Sequence, residues 1–137
     1  MLARREHARA ELARKLAPYA ESADEIEALL DDLTERRLLS NERYVEARIN
    51  ARRARFGNAR LAFELRTQGV SEELVEAALA TGEDELGRAR LIWQRKFAGK
   101  PYEGDSRERA RQSRFLLSRG FSAETVRQVM RGEIEDD

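Results

Sequence analysis

Cysteine is absent from the 137-residue chain, which excludes a disulfide framework, a thiolate zinc site, an iron–sulfur cluster and a cysteine nucleophile. Histidine occurs once, at His7, which leaves too little imidazole for a metal site or a histidine-dependent triad. His7 sits among arginines and is expected to be exposed. Acidic groups occur as Asp31-Asp32 and Glu83-Asp84-Glu85, but adjacent helical residues diverge and the spacing of a calcium loop is missing. They read as solvated helix ends. No phosphate-cradling glycine loop, nucleophile elbow or paired buried carboxylate is found, so no enzyme activity, metal or cofactor is expected. No uncharged run is long enough to span a bilayer, and no signal segment opens the chain. The expectation is a soluble, cytoplasmic, monomeric protein without a membrane partner.

Proline is also scarce, at Pro18 and Pro101 only, and β-branched residues are few beside Ala, Leu, Arg and Glu. That composition favours helix. Apolar residues recur at helical spacing, as Val45, Ile49 and Phe56 in 41–56, Leu86, Ala89, Trp93 and Phe97 in 86–98, and Val126, Val129 and Met130 in 123–130. Short polar residues mark helix starts: Ser22 with Glu25, Ser40, Asn58, Ser71, Asp105 with Glu108, and Ser122. Gly57, Gly69 and Gly120 mark stops.

A repeat organises these elements. Leu65-Arg66-Thr67-Gln68-Gly69-Val70-Ser71 aligns with Leu116-Leu117-Ser118-Arg119-Gly120-Phe121-Ser122, and Leu16, Ser22, Ile26 and Leu30 form a fainter earlier copy. The predicted fold is all-α, with three tandem three-helix, helix-turn-helix-like repeats over 1–39, 40–81 and 82–132 and an acidic tail over 133–137. The first helix of repeat 1 should be short. Small helical units need neighbours to bury their cores, which predicts an elongated, curved stack.

Charged residues reach 38%, yet Lys plus Arg and Asp plus Glu both number 26, giving zero net charge. The signs are segregated. Residues 21–42 hold two basic and eight acidic groups, residues 43–69 seven and two, and residues 87–132 twelve and four. Separate positive and negative faces follow. In the expected helix 41–56, Arg48, Arg52 and Arg55 form a row beside the apolar stripe, with Arg43 and Arg53 near it and Tyr44 and Asn50 on the surface. In the third repeat, Arg88, Arg95 and Lys96 share a helix with Trp93 and Phe97, whose phase is that of a core; Arg111 and Arg114 lie on the next basic helix. The rows fit either solvated arginines over apolar stems or an anion-binding face.

Leu38-Leu39-Ser40-Asn41-Glu42-Arg43-Tyr44-Val45-Glu46-Ala47-Arg48-Ile49, continuing through Arg52-Arg53-Ala54-Arg55-Phe56-Gly57 and Leu61-Ala62-Phe63-Glu64-Leu65, resembles the central motif of the RecX family. The opening Leu2–Leu12 and the closing Arg111–Ser122 resemble its first and third repeats. Asn58 departs from the proline often found there. The resemblance implies tandem three-helix repeats that bind the RecA filament on single-stranded DNA and inhibit its ATPase, strand exchange and co-protease activities, without catalytic residues or a cofactor. Weak direct contact with DNA is compatible with it. Arg43, Arg48, Arg52, Arg53, Arg55, Arg88, Arg95, Lys96, Arg111 and Arg114 are the residues expected to face the filament. The rival reading is a helix-turn-helix regulator of duplex DNA with reading helices over 72–80 and 123–131. It is disfavoured because 72–80 holds three glutamates and no basic residue, and 123–131 is mostly apolar with Arg127 and Arg131 at its end.

Overall fold

The computed structural model describes residues 5–80, 85–98 and 105–131. Every regular element among them is helical: α1 (Arg9–Leu16) and a 3-10 turn (Ala17–Tyr19), α2 (Ala23–Glu35), α3 (Asn41–Arg52), α4 (Asn58–Thr67), α5 (Glu72–Ala80), α6 (Glu85–Phe97), α7 (Ser106–Ser118) and α8 (Ala123–Arg131). The segments 40–80 and 85–131 thus hold three α-helices each, and residues 5–39 hold two. Pro18 stands inside the 3-10 turn, where the missing N–H costs nothing. Glu83, Asp84, the loop around Pro101 and the acidic tail lie outside the described residues.

Most helix starts follow from one polar side chain. Ser22 accepts from the Glu25 amide at 3.1 Å, Ser40 from Arg43 at 3.2 Å, Ser71 from Leu74 at 3.2 Å and Ser122 from Thr125 at 3.1 Å. Asp105 Oδ1 accepts from Arg107 and Glu108, both at 3.1 Å. Each bond satisfies an amide that the first helical turn leaves open.

The repeated Leu-x-x-x-Gly motif ends α4 and α7 in the same way. Val70 N donates to Leu65 O and Gly69 N to Arg66 O; Phe121 N donates to Leu116 O and Gly120 N to Leu117 O. These paired bonds require a left-handed residue at the turn, and Gly69 and Gly120 supply it at φ 80° and 93°. The end of α2 uses the same bonds, Leu38 N to Leu33 O and Arg37 N to Thr34 O, with Arg37 at φ 61° where the other copies have glycine.

The chain divides into two compact units, Met1–Asn50 with Glu64–Ala80, and Ala51–Phe63 with Thr81–Asp137. The division does not follow the repeat boundaries: repeat 2 contributes to both units. The first unit has a core of Leu12, Leu30 and Leu39, flanked by Leu16, Ile26 and Leu33. The second is centred on Ala89, Ile92, Leu116, Phe121, Val126, Val129 and Met130, with Leu86, Trp93 and Phe115 against it; α8 packs on α6 and α7.

Three expectations need correction. His7 is 2% exposed rather than solvated, and it precedes α1 instead of lying within it. Tyr44 is buried too. Helix α3 stops at Arg52, so Arg53, Ala54 and Arg55 form a turn. Local sequence gives no stop there, because Ala and Arg are good helix formers. The stop comes from within the second unit: buried Arg88 donates from Nε to Arg53 O at 3.1 Å and from Nη2 to Phe56 O at 2.9 Å.

Candidate anion-binding face

Gly57 fixes where the turn after α3 lies. Its amide donates to Arg119 O at 2.7 Å, and the Ala59 amide donates to Gly120 O at 3.1 Å. A Cβ at Gly57 would stand 2.5 Å from Gly120 O, so its role is close backbone approach rather than a helix stop. Glu85 Oε2 accepts from the Asn58 amide at 2.7 Å while its Oε1 accepts from Thr125 Oγ1 at 3.1 Å. This carboxylate, expected to be solvated, ties α4, α6 and α8 together. The departure at Asn58 matters here, since proline has no N–H to donate.

The turn so held presents Phe56 within a ring of arginines. The guanidinium carbons of Arg52, Arg55, Arg60 and Arg119 lie 4.5, 5.7, 4.7 and 5.4 Å from its ring centroid. Arg119 also stands 5.1 Å from the Phe115 centroid, and Lys96 Nζ 5.4 Å from it. Such contacts favour a cation over an aromatic face, modestly at an exposed site. Phe115 in turn meets buried Phe97 edge-on, with centroids 5.4 Å apart. The result is an open cleft of about 230 Å³ lined by Ala54, Arg55, Ile92, Arg95, Lys96, Phe115 and Arg119. None of its four cationic side chains has a carboxylate partner among the described residues.

The other expected site residues are placed differently. Arg43, in the first unit, donates to Glu6 at 3.0 Å and to Arg37 O at 2.8 Å. Arg48, in the same unit, faces Glu64 at 3.5 Å. Arg88 is committed to the backbone carbonyls of 53 and 56. Arg111 is held by Glu108 at 2.8 Å, which raises its pKa, and sits 5.3 Å from the Phe97 centroid. Arg114 is exposed on α7 outside the cleft lining, and Arg53 is half-buried in the turn. The cleft therefore gathers Arg55, Arg95 and Lys96 from the expected set, with Arg52 beside them at Phe56. Arg119, outside the expected set, completes the lining, and Arg60 joins Arg52 over Phe56. Trp93 is core-packed as its phase suggested, and its Nε1 donates to buried Gln112 at 2.8 Å.

Among the described residues no three His, Cys, Asp or Glu side chains gather as a metal site, and no helix is long and apolar enough to cross a membrane. Fold and face together define an all-helical protein of repeated three-helix domains that presents clustered cations over aromatic rings. Family models for the second and third three-helix domains of RecX match residues 40–79 and 83–130. The Regulatory protein RecX of Leptothrix cholodnii is 53% identical over 131 residues, covering 95% of this chain and 82% of that one. Its namesake in Herminiimonas arsenicoxydans is 45% identical over 137 residues, covering 99% and 89%. The crystal structure of RecX from Lactobacillus salivarius superposes with a TM-score of 0.80 at 20% identity, over 95% of this chain and 87% of that one, which shows a shared fold. The chain belongs to the RecX family of regulatory proteins.

Proposed function

We propose that this protein is a non-enzymatic modulator of the RecA recombinase. It binds the RecA filament on single-stranded DNA and lowers its ATPase, strand-exchange and co-protease activities. The cleft of Arg55, Arg95, Lys96 and Arg119 turns toward filament phosphates or acidic side chains. Family membership supports the partner. The observation that carries the site is four cations in one cleft with no carboxylate partner among the described residues. Arginine forks suit phosphate and carboxylate alike, and like charges held together gain from a polyanion that neutralises them. The duplex-regulator reading gains nothing from α5, whose exposed Glu72, Glu73 and Glu76 suit a phosphate-lined groove poorly.

The test is RecA-dependent ATP hydrolysis on single-stranded DNA as the protein is added. Reversing Arg55, Arg95 and Arg119 to Glu together should raise the half-inhibitory concentration by more than about a hundredfold, less than the roughly three powers of ten or more that three independent charged contacts could supply. Circular dichroism checks that helicity is kept. Undiminished inhibition by the folded variant removes the cleft from the mechanism.

A further inference from the structure

The cleft in the second unit draws its walls from the turn after α3 (Ala54, Arg55), the end of α6 (Ile92, Arg95, Lys96) and the end of α7 (Phe115, Arg119). At about 230 Å³ it is smaller than the clefts that enclose a whole nucleotide-sized ligand. A volume of that size spans one or two phosphodiesters of a nucleic-acid strand, each singly charged, which leaves half or more of the cationic charge unmatched. A phosphate chain with a free end concentrates more charge: each phosphorus carries one negative charge, and the terminal group gains most of a second above its second ionisation near pH ~6. A triphosphate therefore matches four clustered cations within the length that the cleft offers. Arg55, Arg95 and Arg119 supply forked donors, Lys96 a point charge. Ala54, Ile92 and Phe115 add apolar surface to the lining, with Lys96 and Arg119 standing over the Phe115 ring.

We propose that this cleft binds a short polyphosphate chain, either free or as the tail of a nucleotide whose base stays outside. The proposal takes the cleft as the working face, as the function proposed above does, and adds a ligand that requires no filament. Nucleotide and filament then compete for the same cations, so the phosphate chain acts as a regulator of the protein's availability.

The full chain without RecA is titrated with inorganic tripolyphosphate, following the fluorescence of Trp93, the single tryptophan, which adjoins Ile92 in α6. Saturable binding at one site is expected, with ATP and GTP within about threefold of tripolyphosphate and orthophosphate at least about tenfold weaker. Arg95→Gln with Arg119→Gln should weaken tripolyphosphate by about tenfold or more. The control pair Arg36→Gln with Arg107→Gln, exposed residues outside the cleft and equal in net charge, should shift it by less than about twofold. If the first pair loses helicity, the exposed single variant Lys96→Gln takes its place in the comparison. Absence of saturation, equal weakening by both pairs, or tighter binding of an oligothymidylate of equal charge overturns the proposal; the last outcome makes the cleft a nucleic-acid groove. Loss of RecA inhibition in the Arg95/Arg119 variant without any tripolyphosphate binding overturns this inference alone. Tripolyphosphate binding with RecA inhibition unaffected by the variant overturns the filament role of the cleft and leaves the phosphate site standing.

Discussion

At His7 a buried ring contributes to how the first unit responds to acid. Burial lowers its pKa below the ordinary 6.5, and the nearby Arg5 charge adds to that effect against the opposing pull of Glu11. Nδ1 lies 3.2 Å from Arg5 O. Glu11 titrates in the same sense. Its own burial pushes the carboxyl up, but hydrogen bonds from Arg5 and from the Ala8 amide, with the charges of Arg5 and Lys15, outweigh it and hold Glu11 below 4.5. Both groups are therefore protonated more readily when unfolded, so stability rises with pH through their titrations. Folding should be strongest above pH 6.5, weaken as pH falls below that value because His7 must charge, and weaken again below 4.5 as Glu11 takes its proton. Thermal melts from neutral to pH 5 should show the first decline in the wild type and a flatter profile for His7→Phe. An unchanged profile in that variant assigns the decline to other groups. His7 could not be placed from sequence. Its arginine-rich neighbours describe an exposed helix, whereas the ring lies ahead of α1 and is buried.

At the scale of the helix, local chemistry was legible and nonlocal chemistry was not. Ser22, Ser40, Ser71, Asp105 and Ser122 cap as read, because a cap needs only its own next three residues. The stop after Arg52 depends on Arg88 and the placement of Gly57 on Gly120, partners thirty or more residues away, and no periodicity announces them. The three left-handed helix ends give a prediction with opposite signs. Gly120→Ala forces a Cβ to φ 93° and to within 2.2 Å of Arg60 Cβ and 2.7 Å of Arg60 N. It should cost about 2–4 kcal/mol, strain and overlap together. Arg37→Gly removes the strain of a side chain at φ 61° in an exposed turn. It should raise stability by about 0.5 kcal/mol after the greater unfolded-state entropy of glycine is subtracted. Urea denaturation checks both, and a destabilised Arg37→Gly variant would show that the side chain contributes more than its backbone strain costs.

For the whole molecule, zero net charge conceals two electrostatic regimes. The alternating charge blocks made separate faces legible in the sequence, but not which cations would be neutralised at home. In the first unit, Arg9 binds Glu27 and Asp31 at 2.6 and 2.8 Å, Arg43 binds Glu6 at 3.0 Å, Arg36 binds Asp32 at 3.1 Å and Arg66 binds Glu72 at 2.6 Å. In the second, Arg55, Arg95, Lys96 and Arg119 share one cleft without such partners among the described residues. Salt weakens attraction and repulsion alike, and the Debye length falls from roughly 20 Å near 0.02 M to about 6 Å near 0.3 M. Raising sodium chloride over that range should therefore loosen α1 and α2, whose surfaces are laced by attractive pairs. It should tighten the ends of α6 and α7, where like charges face one another. Each effect is small, about 1 kcal/mol or less, because exposed pairs contribute little individually. The opposite signs within one chain make it measurable by amide hydrogen exchange resolved by helix, since local opening reports local stability. Slower exchange at the ends of α6 and α7 together with faster exchange in α1 and α2 is the expected pattern. A shift of the same sign in both units would mean that the cleft cations do not strain the free protein, and binding a polyanion there would then bring no relief of repulsion.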